Sequence, residues 1–170
     1  MKVFLLVAGA LVLLVAGMAA IGSLLPKRHV VTRSAVFGES PERLFELIVG
    51  KQDWRPDVRE SQLVTEHDGR HFQLETLKRG VSILYEVQGA RPPEVVQRRI
   101  ATGSLPYGGT WTFVLEPVVG GTEVRITEDG EVYNPLFRFV SRFVIGPKAT
   151  LDAYLIAMGK AVGEEAYPAD

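Results

Sequence analysis

Two charged residues stand where apolar ones are expected. Within residues 94–102, Val96, Arg98 and Ile100 alternate onto one side. Within residues 122–132, Val124 and Ile126 share a side with Glu128, Gly130 and Val132. Arg98 and Glu128 therefore fall on faces that otherwise read as core. A buried charge is costly unless it is paired, and two arrangements remain open. In one, Arg98 and Glu128 meet in an interior cavity or each takes the polar head of a bound molecule; a buried, unpaired Glu128 would then have a raised pKa and serve as a general acid or base. In the other, a β-bulge near Asp129-Gly130 turns Glu128 outward, or both charges sit at an open rim.

The same alternation puts Phe72 with Leu74, Val81 with Ile83, Tyr85 and Val87, and Trp111 with Phe113 and Leu115 on inward faces. The candidate ligand-lining set is Trp54, Phe72, Tyr85, Arg98, Tyr107, Trp111, Phe113, Glu128, Phe137 and Tyr154. Core packing is the competing role for each ring. Trp54 and Tyr107 fall in predicted loops, where a large ring is needed less for the core. His67 and His71 flank the turn Asp68-Gly69 and fall on opposite faces if that turn has two residues. With no cysteine and no third convergent ligand they do not make a zinc site. His29 belongs with a basic flank. There is no Gly-x-Ser-x-Gly string, phosphate loop or dinucleotide fingerprint, so neither a metal nor a cofactor is expected.

The elements that must position these residues are punctuated clearly. A strand over residues 29–36 leads to a helix opened by Ser40 as N-cap and Pro41 in the first turn; Gly50 ends it. A connector, Gln-Asp-Trp-Arg-Pro-Asp-Val, runs from Gln52 to Val58. Six strands are expected at about residues 60–66, 70–77, 81–89, 94–102, 110–118 and 122–132, with hairpin turns at Asp68-Gly69 and Gly120-Gly121. Asn134 then caps a helical stretch. Leu151, Tyr154, Leu155, Met158, Ala161 and Val162 recur at helical spacing, and Gly146-Pro147 predicts a break between the two helical runs. Arg138 and Arg142 lie four apart on one helix face, solvated or facing lipid headgroups. A frayed acidic tail is expected from Glu164 to Asp170.

A curled antiparallel sheet with the long C-terminal helix in its concave side buries these faces economically and leaves an apolar cavity between them. The fold class is thus α+β. In front of this domain, no side chain between Lys2 and Pro26 is charged. As a helix that run reaches roughly 35 Å, enough to cross a hydrocarbon core of about 30 Å. A cleaved signal peptide is the rival reading, but its apolar core is usually about 7–15 residues, and this run continues past the small residues near Ala19. The chain accordingly divides into an anchor with basic flank (1–28), a domain (29–164) and a tail (165–170). Lys27, Arg28, Arg33 and Arg43 outnumber the single Lys2, which favours a cytoplasmic domain on a single-pass membrane protein. The net charge of −1 gives no basic face for nucleic acid.

Several strings carry a family likeness. They are His29-Val30-Val31-Thr32-Arg33-Ser34, Ser40-Pro41-Glu42-Arg43-Leu44-Phe45, Trp54-Arg55-Pro56-Asp57-Val58, Gly108-Gly109-Thr110-Trp111 through Glu116-Pro117, and Gly121-Thr122-Glu123-Val124. In their order the chain resembles the START-like, helix-grip superfamily called SRPBCC, of the polyketide cyclase/dehydrase and lipid-transport type. The resemblance implies about seven strands gripping a long C-terminal helix, with a hydrophobic ligand between sheet and helix. The expected function is a membrane-anchored binding domain for a lipid, isoprenoid or quinone-like molecule. Two alternatives stand beside it: a cyclase/dehydratase-type enzyme using Glu128 with Arg98 or Tyr85, and a non-catalytic docking module using the Arg138/Arg142 face.

Overall fold

The computed structural model describes residues 1–66 and 69–170. An apolar helix, α1 (Lys2–Leu24), precedes β1 (Arg28–Phe37) and the short α2 (Pro41–Val49). Next come β2 (Val58–Thr65), β3 (His71–Leu77), β4 (Ser82–Arg91), β5 (Val95–Ile100), β6 (Tyr107–Val118) and β7 (Gly121–Val132). The chain closes with α3 (Pro135–Val140), a π-helical turn (Ser141–Ile145) and α4 (Ala149–Val162). The strands form one antiparallel sheet in the order β1-β7-β6-β5-β4-β3-β2. β2 to β7 are the expected meander, and β1 crosses over to pair with β7. The α+β helix-grip architecture read from the sequence is the one observed.

Local chemistry explains the boundaries. The Ser40 hydroxyl accepts from the Arg43 N–H at 3.3 Å, Pro41 fills the first helical position, and α2 buries Leu44, Phe45 and Ile48. The carbonyls at the end of α2 have no partner within the helix. Two buried glutamines supply them: Gln52 Nε2 donates to Leu47, Ile48 and Gly50, and Gln73 Nε2 to Ile48, Val49 and Gly50. Asn134 caps α3 by accepting from the Phe137 N–H at 3.1 Å. The predicted break falls at Gly146, whose φ of +88° suits glycine and ends the π-helical turn.

The core lies where sheet, α2 and α4 meet. Phe37, Phe113, Leu115, Val124, Ile126, Leu151, Leu155 and Met158 are fully buried there. Each such side chain contributes roughly 1.5–3 kcal/mol. A second cluster, Val58, Leu77 and Ile83 with Ile100, Leu105 and Tyr107 packed on it, closes the end of the sheet from which α1 departs.

Four expectations change. The β6–β7 turn is Val119-Gly120, because Val118 pairs with Gly121. Tyr107 opens β6 and pairs with Val132, so it is a strand residue and not part of a loop. His71 pairs with Thr65 and not with Glu66, whose N–H donates instead to the Arg70 carbonyl; His67 and Asp68, and with them most of the predicted turn, lie outside the described residues. The tail does not fray. Ser34 and Ala169 exchange both backbone hydrogen bonds (2.9 and 2.8 Å), Ala166 is buried in the core, and Arg33 donates to the Pro168 carbonyl and the Asp170 carboxylate.

Candidate functional site

The concave face is built from aligned rows of side chains. Val87, Arg98, Trp111, Glu128 and Val31 are successive register partners across β4, β5, β6, β7 and β1. Gln73 is opposite Tyr85 and Glu75 opposite Ile83. The inward residues of β3 are therefore Gln73, Glu75 and Leu77, out of phase with the sequence expectation. Phe72 pairs with Val64 and Glu86 on the opposite side, where the Arg70 guanidinium lies 5.3 Å from its ring centroid.

This phase decides the partner of Arg98. Arg98 and Glu128 share a row with Trp111 between them, and they do not pair. Arg98 is 2% exposed and donates through Nη2 to Glu75 Oε1. The other Glu75 oxygen accepts from Arg55 Nη1 at 2.8 Å, and Arg55 also grips Asp57 at 2.7 Å. Glu75, itself 0% exposed, thus joins a guanidinium from the α2–β2 connector to one from β5. Buried charges demand such partners.

Aromatic rings enclose this ion cluster. Arg98 Cζ stands 4.4 Å over the Tyr85 ring and Arg55 Cζ 5.3 Å from that of Tyr154. Tyr154, from α4, meets Trp54 edge-on at 5.3 Å, Trp111 at 5.5 Å and Phe113 at 5.4 Å. Its hydroxyl donates to Gln52 Oε1 at 3.1 Å. Burial pushes the Tyr154 phenol up to about 12 and the Tyr85 phenol well above its ordinary value, so both stay protonated at neutral pH. Trp54 Nε1 and Arg98 Nε are buried donors without a partner among the described residues.

Glu128 is set apart from this cluster. β7 stays in register through Asp129 and Gly130, so no bulge turns it outward. Its carboxylate is 20% exposed and lies 3.5 Å from His29 Nε2. The glycine at 130 makes room for this pair, since a Cβ there would stand 2.6 Å from His29 Cε1. The hydrogen bond that the His29 imidazolium donates to the Glu128 carboxylate raises the His29 pKa above its ordinary value. A buried, unpaired acid at 128, the premise of the acid–base alternative, is therefore not what the fold provides.

The remaining predicted residues fall nearer α1. Tyr107 and Phe137 stack with centroids 5.8 Å apart. Arg138 is 7% exposed, neither solvated nor part of a docking face. It donates from Nη1 to the Leu25 carbonyl at 2.7 Å and from Nη2 to that of Tyr133 at 3.3 Å.

Rings and ions fill much of the space beneath α4 that the sequence left for a cavity. An apolar cleft of about 290 Å³ opens instead between Phe45 and Val49 of α2 and the strands carrying Leu63, Gln73 and Val87, with Ala90 and Pro92 at its lip. Phe72 borders it as well, alone among the predicted ligand-lining residues. The cleft adjoins the ion cluster, because Val87 is the register partner of Arg98 and Gln73 that of Tyr85. Sequence reasoning missed Arg55, Glu75, Gln52, Gln73 and the His29–Glu128 pair. One signal for Glu75 was present: an inward Arg98 requires a buried carboxylate, and Glu75 alternates in phase with Gln73.

The chain matches no family model, and no curated protein matches its sequence. Its fold is nevertheless well represented among solved structures. A START superfamily protein from Mycobacterium smegmatis superposes with a TM-score of 0.59 at 16% identity, covering 79% of this chain and 97% of that one. A Mesorhizobium loti protein gives 0.58 at 15% identity, covering 79% and 96%. A Bacillus cereus protein, XoxI, gives 0.52 at 18% identity, covering 80% and 95%. The fold is START-like.

Proposed function

We propose that this chain is a membrane-anchored binding domain for an apolar small molecule of the lipid, isoprenoid or quinone-like kind. The observation that carries this reading is the apolar cleft between α2 and the concave face. At about 290 Å³ it lies just under the usual range for small-molecule sites, about 300–1,000 Å³, and so takes a compact molecule or one segment of a longer chain. Helix α1, 23 residues long and without a charged side chain after Lys2, is the anchor. It keeps the cleft close to a membrane pool of ligand and so raises the local concentration. The basic residues after α1 favour a cytoplasmic domain. The test is mass spectrometry of organic extracts from the full chain purified from its host membranes, native against Ala90→Trp, which plugs the cleft from its exposed lip. One compound retained by the native chain and lost from the variant is the expected result. Identical extracts from both would overturn the reading.

A further inference from the structure

The segment between α3 and α4 exposes three consecutive large apolar side chains: Phe143 at 59%, Val144 at 70% and Ile145 at 49%. The Phe143 ring rests 4.9 Å from that of Phe139, which extends the apolar surface back onto α3. This surface continues onto α1. Gly22 is buried so closely against α3 that a Cβ would stand 1.9 Å from the Pro135 carbonyl oxygen. Met18 and Ala19 are half-buried, and with Gly22 they form one side of the helix. α3 therefore runs beside the last two turns of α1, about 10 Å of its length.

Length then fixes the depth. A 23-residue helix is about 35 Å long and exceeds a hydrocarbon core of about 30 Å by only about 5 Å. The two turns that α3 occupies are longer than that excess, so α3 cannot clear the leaflet if α1 spans it. The treatment of Arg138 fits this depth: its guanidinium is withdrawn from the surface onto two backbone carbonyls. Arg142, on the exposed side of the π-helical turn, and Lys27, just after α1, are placed for anionic headgroups.

We infer that residues 139–145 sit in the bilayer leaflet beside α1, with Phe143, Val144 and Ile145 entering the headgroup–acyl boundary. The surface is a second membrane contact, and its partner is the lipid leaflet. This inference rests on α1 being a membrane anchor.

The native chain has no cysteine, so single-cysteine labelling is clean. Val144→Cys, Val119→Cys and Leu13→Cys variants of the full chain, each carrying an environment-sensitive dye, are placed in nanodiscs of phosphatidylcholine and phosphatidylglycerol. Quenchers are then carried on the lipid headgroup or along the acyl chain. Val119 is the reference: it is fully exposed and lies at the far end of β7, about 40 Å from where that strand meets the anchor side. The expected result is severalfold stronger quenching at 144 than at 119, strongest with shallow acyl quenchers, and deep-chain quenching at 13. If 13 is quenched while 144 behaves like 119, the anchor stands and the second contact is wrong. If 144 is shielded from water but not quenched by lipid, another protein covers it and the inference fails. If 13 is not quenched, the anchor itself is wrong and the inference falls with it.

Discussion

Glu75 and Glu128 both point into the concave face, from β3 and β7, yet the fold treats them in opposite ways. Glu75 is sealed, 0% exposed, with one guanidinium on each oxygen. Glu128 is 20% exposed, and the ion-pair partner it has among the described residues is an imidazole 3.5 Å away. Guanidinium partners keep their charge at any physiological pH, so the sealed cluster is a fixed structural demand. Histidine gains or loses its proton within that range, so the pair near α1 responds to its surroundings. The same residue type on the same face becomes a brace or a sensor according to burial and partner.

The most severe way to break this contrast is Glu75→Gln, which leaves two guanidiniums facing a neutral amide in the interior. Loss of about 3–5 kcal/mol is expected in denaturant unfolding of the full chain in detergent; a loss below about 1 kcal/mol would mean that the cluster is not sealed. A milder change sharpens it. Glu75→Leu combined with Arg98→Met removes both charges together, while Arg55 retains Asp57. The double variant is expected within about 2 kcal/mol of the native chain. Stability as low as that of Glu75→Gln would show that the ions themselves are required.

The smallest effect belongs to His29→Asn. Its folded pKa is raised, so the stabilisation is fully present below the unfolded value of about 6.5 and disappears as pH rises through the higher folded value. For a pair this open it amounts to under about 1 kcal/mol. Melting temperatures of native and variant chains should differ most below the unfolded value and converge as the pH rises above the folded one. A gap that widens with pH would show that Glu128 does not hold the imidazolium.

The sequence made some features of this molecule easier to read than others. Ser40, Pro41 and Asn134 announced their helices because capping is local chemistry, satisfied within three residues. Strand β3 was read in the wrong phase for the opposite reason. Phe72 and Leu74 are apolar, and alternation assigns apolar residues to the core. In the fold the inward positions are Gln73 and Glu75, whose partners come from Ile48, Val49, Gly50, Arg55 and Arg98. Phe72 is covered on the outside by Arg70. Partners that distant leave no periodic trace. Arg138 was misplaced likewise, since its acceptor is the end of a helix 113 residues earlier, and the tail has no periodicity to announce that Ala169 would find Ser34.

That last contact bears on association between molecules. β1 pairs with β7 along one side only, and a sheet edge with free N–H and C=O groups invites another strand. The bridge from Ala169 to Ser34, with Arg33 clasping Pro168 and Asp170, lays the tail across this edge and occupies its middle. The last few residues thus act as a guard rail. Without them the β1 edge would be left open to extension by another strand.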